Sequence, residues 1–198
     1  MTVEALPLFP LRAVLFPGAR LPLRIFERRY VDLIRACLRE NRGFGIPPIR
    51  HGNEAGVPAT PWPGGTLAMI RDFSQGADGL LHVEVEGVRR FRLHGQEARA
   101  DGVLVGEASW LDAATPENSE TGDNDLREVL ALLAAGAPLP KPLETLPAEH
   151  VVYRLLERLP LPVELQVDVL LSESIPYQQA RCRAALAQLI EFRYPDAH

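Results

Sequence analysis

The sequence predicts an α+β protein in which a β-rich region with one inserted helix precedes a small helical bundle. In residues 81–93 apolar and polar side chains alternate, as on a strand with one buried face. Beyond residue 125 the apolar residues recur every three or four positions, as on a helix. The acidic stretch LDAATPENSETGDND (111–125) between them has too few apolar residues to pack. We therefore predict a β-rich subdomain (1–112), an acidic linker (113–125) and a helical subdomain (126–198).

Residues 6–26, LPLFPLRAVLFPGARLPLRIF, predict two short strands around a turn. Pro7 and Pro10 interrupt the first apolar run, and proline cannot donate to a sheet, so this strand should be short and near an edge. Pro17 and Gly18 suit the tight turn. A second strand follows at residues 21–26, with Pro22 near its start, where a missing donor matters least.

The rest of the β-rich region contains one helix and several strands. Residues 27–40 carry an apolar face with helical spacing. Residues 44–50 predict a short strand broken by Pro47 and Pro48, and residues 51–65 a loop rich in glycine and proline. Strands are then expected at residues 66–73, 81–93 and 103–111, with a bulge at Gly87.

The helical region contains four predicted helices. The first carries apolar residues from 126 to 133 and ends near Gly136, and the second covers residues 151–159 and stops before Pro160. Pro162 suits the first turn of the third, and the fourth carries apolar residues from 182 to 190. Each helix is too short to be stable alone, so we expect the four to pack together.

The composition is that of a globular protein large enough to bury a core. The chain has 198 residues, 46% hydrophobic and 24% charged, with a net charge of −5. No signal peptide is recognisable, and no apolar run approaches the roughly 18 residues that span a membrane, so a cytoplasmic location without membrane contact is expected. Cys37 and Cys182 fall on apolar helical faces and are predicted to be reduced core thiols.

Several stretches together resemble the amino-terminal substrate-binding domain of the Lon protease. They are residues 6–26, ERRYVDLI (27–34), GTLA (65–68), VEGVRRF (85–91) and LERLPLPVELQVDVLLSE (156–173). The resemblance covers nearly the whole chain. It implies a PUA-like β pseudo-barrel followed by a helical bundle, and a role in capturing proteins or peptides. In the full protease an ATPase module and a Ser-Lys peptidase follow.

Motifs for either enzyme activity are missing from the sequence. A phosphate-binding loop of the form GxxxxGK[ST] does not occur, and the only lysine, Lys141, lies between two prolines that lack backbone donors. None of the serines lies in a GxSxG motif. We therefore predict a protein that is not an enzyme and that needs no cofactor.

Two charged clusters on the predicted strand 81–93 have alternative interpretations. His82, Glu84 and Glu86 share one strand face and could hold a metal ion, but solvated strand faces commonly have this pattern, so no metal is predicted. Arginines at positions 89, 90 and 92 could bind RNA, as some PUA-like proteins do. Nearby acidic residues make an ordinary solvated face the favoured interpretation.

The predicted function is that of a non-catalytic binding module for unfolded or exposed polypeptide segments, held along a groove or a sheet edge. Trp62, a large aromatic residue in a loop, is either a lid over the barrel end or a rigid anchor for a peptide. The candidate contact residues are Trp62, Phe44, Arg28, Arg29 and Arg89. One alternative is an RNA-binding PUA-like protein that uses the basic amino-terminal half. Another is an accessory or adaptor subunit of a separate ATP-dependent protease.

Overall fold

The computed structural model describes residues 3–56, 59–114, 122–134, 139 and 141–193. The chain divides into two compact units, Met1–Asp112 and Ala113–His198. Most of the predicted acidic linker, residues 115–121, lies outside the described residues. The last two residues of that predicted linker belong instead to a helix that begins at Asn124. Asp125 in its first turn suits the positive end of the helix dipole.

The first unit contains eight strands and one helix within its described residues. The strands are β1 (Glu4–Leu8), β2 (Arg20–Ile25), β3 (Phe44–Ile46), β4 (Ile49–His51), β5 (Thr60–Pro61), β6 (Gly64–Gln75), β7 (Leu81–Ala98) and β8 (Leu104–Trp110). Helix α1 (Arg28–Glu40) follows β2. The residues between β4 and β6 were predicted to be loop throughout; β5 was missed because it is only two residues long.

Six of these strands form one sheet in the order β2-β7-β6-β3-β1-β8. Strand β7 also pairs with β8, which closes β7, β6, β3, β1 and β8 into a barrel. Strand β2 lies outside this closure and pairs with the first part of β7. The expected bulge is present: Ala68 pairs with Gly87 and Leu67 with Arg89, so Val88 is the extra residue.

Helix α1 covers one side of the sheet with the face that its sequence predicts. Its buried residues are Tyr30, Leu33, Ile34 and Cys37. They pack with inward side chains of β2, β3, β6 and β7 in the main core. Leu38, which has the same spacing, is instead exposed. The helix ends at Asn41, whose φ of 47° places it in the left-handed conformation common at helix ends.

The barrel encloses a second, smaller core. Its buried residues are Leu6, Leu8, Phe91, Leu104 and Ala108. Leu67, Leu93 and Trp110 pack against them and are partly buried. The apolar residues of β7 are therefore divided between two cores: Val83 and Val85 lie in the main core with α1, and Phe91 lies in the core of the barrel.

The second unit is helical. It contains α2 (Asn124–Ala134), a 3₁₀ turn (Leu143–Thr145), α3 (Ala148–Leu156), α4 (Val163–Leu171) and α5 (Ile175–Arg193). Helix α3 packs against α2 and α5, and α4 packs against α5.

Both cysteines of the chain, Cys37 and Cys182, are buried free thiols, as predicted. No helix among the described residues combines the length and apolar character needed to cross a membrane.

Candidate functional site

Strand β2 has one edge that is open in the part of the chain that the structure describes. Gly87 donates its backbone N–H to the carbonyl of Ala19 at 2.9 Å, which sets the phase of the antiparallel ladder. In that phase the backbone groups of Arg20, Pro22 and Arg24 point away from β7. Proline fits this position because its missing N–H would not have bonded to β7. Among the described residues we find no backbone hydrogen bond on this side of β2.

A groove of about 280 Å³ follows this edge. Its lining residues are Leu21, Pro22, Leu23, Arg24, Ile25 and Phe26 along β2 and just after it, Phe9, Leu11 and Ala13 from the segment between β1 and β2, and Glu27, Tyr30 and Glu54. Because consecutive residues of β2 line the groove, it runs along the strand edge and not over one face. Its volume is just below the range of about 300–1,000 Å³ typical of small-molecule pockets. We call this groove the β2 groove; its lining is mostly apolar.

Two exposed phenylalanines lie beside β2. Phe26 is 63% exposed at one end of the β2 groove, and Phe73 is 56% exposed. Phe73 lines a second depression of about 360 Å³, which shares Pro22, Leu23 and Arg24 with the β2 groove. Exposed aromatic side chains next to an open edge are typical of an interaction site.

Phe44, a predicted contact residue, is a core residue, and its burial argues against a contact role. Its side chain is completely buried, and its ring centroid lies 6.0 Å from that of Phe9. Strand β3 lies between β6 and β1 in the sheet, so an inward side chain there cannot reach solvent. The sequence places Phe44 after a helix end but does not show that β3 is a central strand.

Arg29 stabilises the first unit and is poorly placed to contact a ligand. Its side chain is only 10% exposed and forms an ion pair with Glu27 at 3.0 Å. It also donates to the carbonyl of Gly102 at 2.8 Å and lies over the ring of Tyr30. These contacts tie α1 to the loop before β8, so we remove Arg29 from the candidate surface.

Arg28, Trp62 and Arg89 keep some exposure but do not form one patch. Arg28 follows the end of β2 near Phe26, and its nearest acidic partner, Asp32, is 4.0 Å away. Trp62 is half-buried under the guanidinium of Arg50, 5.0 Å from its ring centroid; Arg89 stacks on Trp110 in the same way at 5.4 Å. Of these three, only Arg28 is adjacent in the chain to a lining residue of the β2 groove, Glu27.

The arginine cluster proposed for RNA is divided by the fold. Arg89 is exposed and pairs with Asp112 at 3.4 Å. Arg90 is buried and donates to the backbone carbonyl of Asp112. Because successive side chains of a strand point to opposite faces, Arg89 lies on one face of β7, and Arg90 and Arg92 lie on the other. The sequence alone gives no measure of this burial.

The acidic residues considered for a metal pair with arginines instead. Glu84 contacts Arg20 at 2.8 Å and Glu86 contacts Arg71 at 2.9 Å. Across the described residues, no group of three or more histidine, cysteine, aspartate or glutamate side chains is placed to hold a metal ion. These contacts are those of a solvated sheet face carrying surface ion pairs.

The residues of the β2 groove escaped sequence reasoning because each has an ordinary structural explanation. Phe9 and Leu11 belong to the first apolar run, and Leu21, Leu23 and Ile25 form the buried face of β2. The one usable signal is Phe26, which follows Ile25 directly and so must point to the opposite side of the strand.

The fold and groove define a PUA-like pseudo-barrel with an open strand edge, accompanied by a helical unit. The sequence model of one protein family, the ATP-dependent protease La (LON) substrate-binding domain, matches residues 5–188, so the chain belongs to this family. A Lon N-terminal domain protein from Xanthomonas campestris is 35% identical, with a TM-score of 0.75 over 93% of this chain and 98% of that chain.

More distant similarities agree with this family. The N-terminal domain of a Lon protease from the Mycobacterium avium complex has the same fold, with a TM-score of 0.66 at 15% identity over 90% of this chain and 96% of that one. Lon protease 2 of Myxococcus xanthus is 29% identical over 65% of this chain, and cereblon of Danio rerio is 29% identical over 56%. The matched regions span only 15% of that protease and 26% of cereblon.

Proposed function

We propose that this protein is a non-catalytic module that binds unfolded or exposed polypeptide segments in the β2 groove. The observation that carries the proposal is the open edge of β2 beside an apolar groove, in a member of a substrate-binding family. Backbone groups on a strand edge bind any extended chain, whereas apolar pockets select side chains by size. A site of this kind recognises unfolded chains in general and has only a weak preference for a particular sequence.

The family supports a further, more specific role. A substrate-binding domain of the Lon type, acting with a separate ATP-dependent protease, would hold a client polypeptide for degradation elsewhere. The similarity to a Lon protease supports this adaptor role. The lack of a GxxxxGK[ST] or GxSxG motif supports a binding role without ATP hydrolysis or peptide cleavage by this chain.

The proposal is tested by binding of reduced, carboxymethylated α-lactalbumin, a permanently unfolded probe, followed by fluorescence anisotropy. We expect Phe26→Ser to weaken binding about fivefold, because partial burial of a phenylalanine contributes on the order of 1 kcal/mol. The matched control is Val88→Ser, which removes an apolar side chain that is 45% exposed at the bulge of β7. Equal effects of the two substitutions would contradict a site at the β2 groove.

The same assay tests Trp62 and the RNA alternative. Neither Trp62 nor Arg89 and Arg92 line the β2 groove, so Trp62→Ala and the joint change of Arg89→Ala and Arg92→Ala should both leave binding of the unfolded probe nearly unchanged. Apolar contacts depend little on salt, whereas arginine-phosphate contacts weaken steeply as salt rises. Tight binding of single-stranded RNA with a steep salt slope, lost in the double arginine variant, would favour the alternative function.

A further inference from the structure

Pro22 lies in the middle of the open edge of β2, where it changes what that edge can bind. We propose that a polypeptide in the β2 groove joins the sheet as an added strand along β2, and that Pro22 and its flanking arginines restrict this pairing to weakly held segments with acidic residues. The inference rests on the proposed function and specifies how the same groove works.

The backbone of β2 offers an incomplete ladder to an incoming strand. Arg20 and Arg24 each present an outward N–H and C=O, but Pro22 between them presents only its C=O. A strand that pairs across this edge therefore leaves one of its own carbonyls without a donor opposite Pro22. The missing bond weakens every complex formed by strand addition, which suits a module that must release its ligand.

The two arginines determine which strands are accepted. Two copies of this chain that paired antiparallel about Pro22 would place Arg20 of one copy directly opposite Arg24 of the other, and such like-charge pairs are unfavourable. An extended segment with acidic residues at these positions is favoured instead. Arg20 and Arg24 already contact Glu84 and Asp78 at 2.8 and 2.7 Å. These are exposed pairs that cost little to rearrange.

The alternation of an added strand matches the two sides of β2. Side chains opposite Arg20 and Arg24 lie on the exposed charged face, and those between them lie on the side of Leu21 and Leu23. Phe9 and Leu11 also line the β2 groove and belong to the same apolar cluster as Leu23, against which Leu21 packs. The preferred ligand therefore alternates apolar residues with polar or acidic ones.

Two fluorescein-labelled peptides, VEVTVEV and VKVTVKV, test the charge preference, with threonine placed opposite Pro22. We expect the glutamate peptide to bind at least about fivefold more tightly, because its acidic residues lie opposite Arg20 and Arg24. Amide hydrogen exchange by NMR then tests the pairing itself. On saturation with the glutamate peptide, the amides of Arg20 and Arg24 should gain protection, which needs no variant to be made.

Two proline substitutions test the ladder in opposite directions. Pro22→Val restores an outward donor and should tighten binding of the glutamate peptide about fivefold, the effect of one net hydrogen bond. Arg24→Pro removes an outward donor without touching the bonds to β7, and should weaken binding about fivefold beyond Arg24→Val, which removes the charge alone. Circular dichroism confirms that each variant is folded.

The outcomes separate this inference from the proposed function. Binding of unfolded α-lactalbumin without amide protection at Arg20 and Arg24, or without an effect of Pro22→Val, would overturn strand addition and leave the proposed function standing. Equal binding of the two peptides would overturn the role of the arginines. If neither peptide nor unfolded α-lactalbumin binds, the proposed function itself fails.

Discussion

At the scale of single residues, the structure explains why Gly65 and Thr66, in the stretch GTLA that resembles the Lon family, occupy their positions. A Cβ atom on Gly65 would lie 2.3 Å from the carbonyl oxygen of Ile46 and 2.6 Å from Cα of Pro47, so only glycine fits. The next residue, Thr66, is completely buried, and its hydroxyl donates to the carbonyl of Leu15 at 2.5 Å. Together they bring β6 into contact with β3 and the turn before β2.

We expect Gly65→Ala to lower the free energy of unfolding by about 1–3 kcal/mol, because the added methyl group meets backbone atoms that cannot rotate away. Urea unfolding followed by circular dichroism measures the change. Gly122→Ala is the control, since a Cβ there has no atom within 4 Å, and its effect should stay within about 0.5 kcal/mol. A Gly65→Ala variant as stable as the native chain would contradict the close approach of β3 and β6.

The residues of the candidate site show where sequence reasoning stops at this scale. Phe44 and Arg29 were candidate contact residues in the sequence, although phenylalanine is among the residues most often buried. In the structure Phe44 is completely buried in a central strand, and the Arg29 side chain is only 10% exposed against Glu27 and Gly102. Phe26, in contrast, was not a candidate contact residue but is exposed in the structure. Whether these three side chains are buried depends on which segments pack against them, and those segments are distant in the sequence.

At the scale of elements, helix α3 ends in a partly buried charge cluster. Arg154 is almost completely buried and contacts Glu157 at 2.8 Å, while Arg158 lies 3.9 Å from the same carboxylate. Burial raises the pKa of Glu157 to about 7, and the two arginines offset part of that effect. The folded helical unit therefore holds a proton on Glu157 over a pH range in which the unfolded chain has lost it.

This shift predicts a pH dependence of stability. The unfolded glutamate ionises near its ordinary pKa of 4.5, so between pH 4.5 and 7 the folded state binds more protons, and stability falls as pH rises. Glu157→Gln should reduce the slope of unfolding free energy against pH by up to about 1.4 kcal/mol per pH unit, which is the largest slope that one titrating proton can give. Urea unfolding at several pH values measures it, with the exposed Glu164→Gln as control. An unchanged slope in Glu157→Gln would contradict the raised pKa.

The type of most elements follows from local pattern, but some boundaries do not. Strand β7 continues to Ala98, past the predicted end at residue 93, because its second part pairs with β8. Helix α5 starts at Ile175, seven residues before the apolar face that predicted it. Ser174, whose hydroxyl accepts the N–H of Tyr177 at 3.4 Å, followed by Pro176, was the available signal for that start. The open edge of β2 depends on strand order, which no local pattern contains.

At the scale of the whole molecule, the two units differ in charge as well as in secondary structure. Residues 1–112 carry 14 basic and 13 acidic side chains, whereas residues 113–198 carry 7 and 13. The proposed ligand with acidic residues would meet the first unit at its local cluster of arginines, where Arg20, Arg24 and Arg28 lie along β2 and at the start of α1. The division of the chain into two units places the β2 groove wholly within the first.

The boundary between the units predicts the first site of limited proteolysis. The acidic segment 113–125 lacks the apolar side chains that would hold it in place, and it contains Glu117 and Glu120 but no lysine or arginine. Endoproteinase Glu-C should therefore cut there first and release two fragments, and the joint change Glu117→Gln and Glu120→Gln should abolish that cut. Glu54 is the internal comparison, because its carboxylate accepts the backbone N–H of Arg12 at 2.7 Å and is held in place. Cleavage at Glu54 before Glu117 and Glu120 would show that the boundary is misplaced.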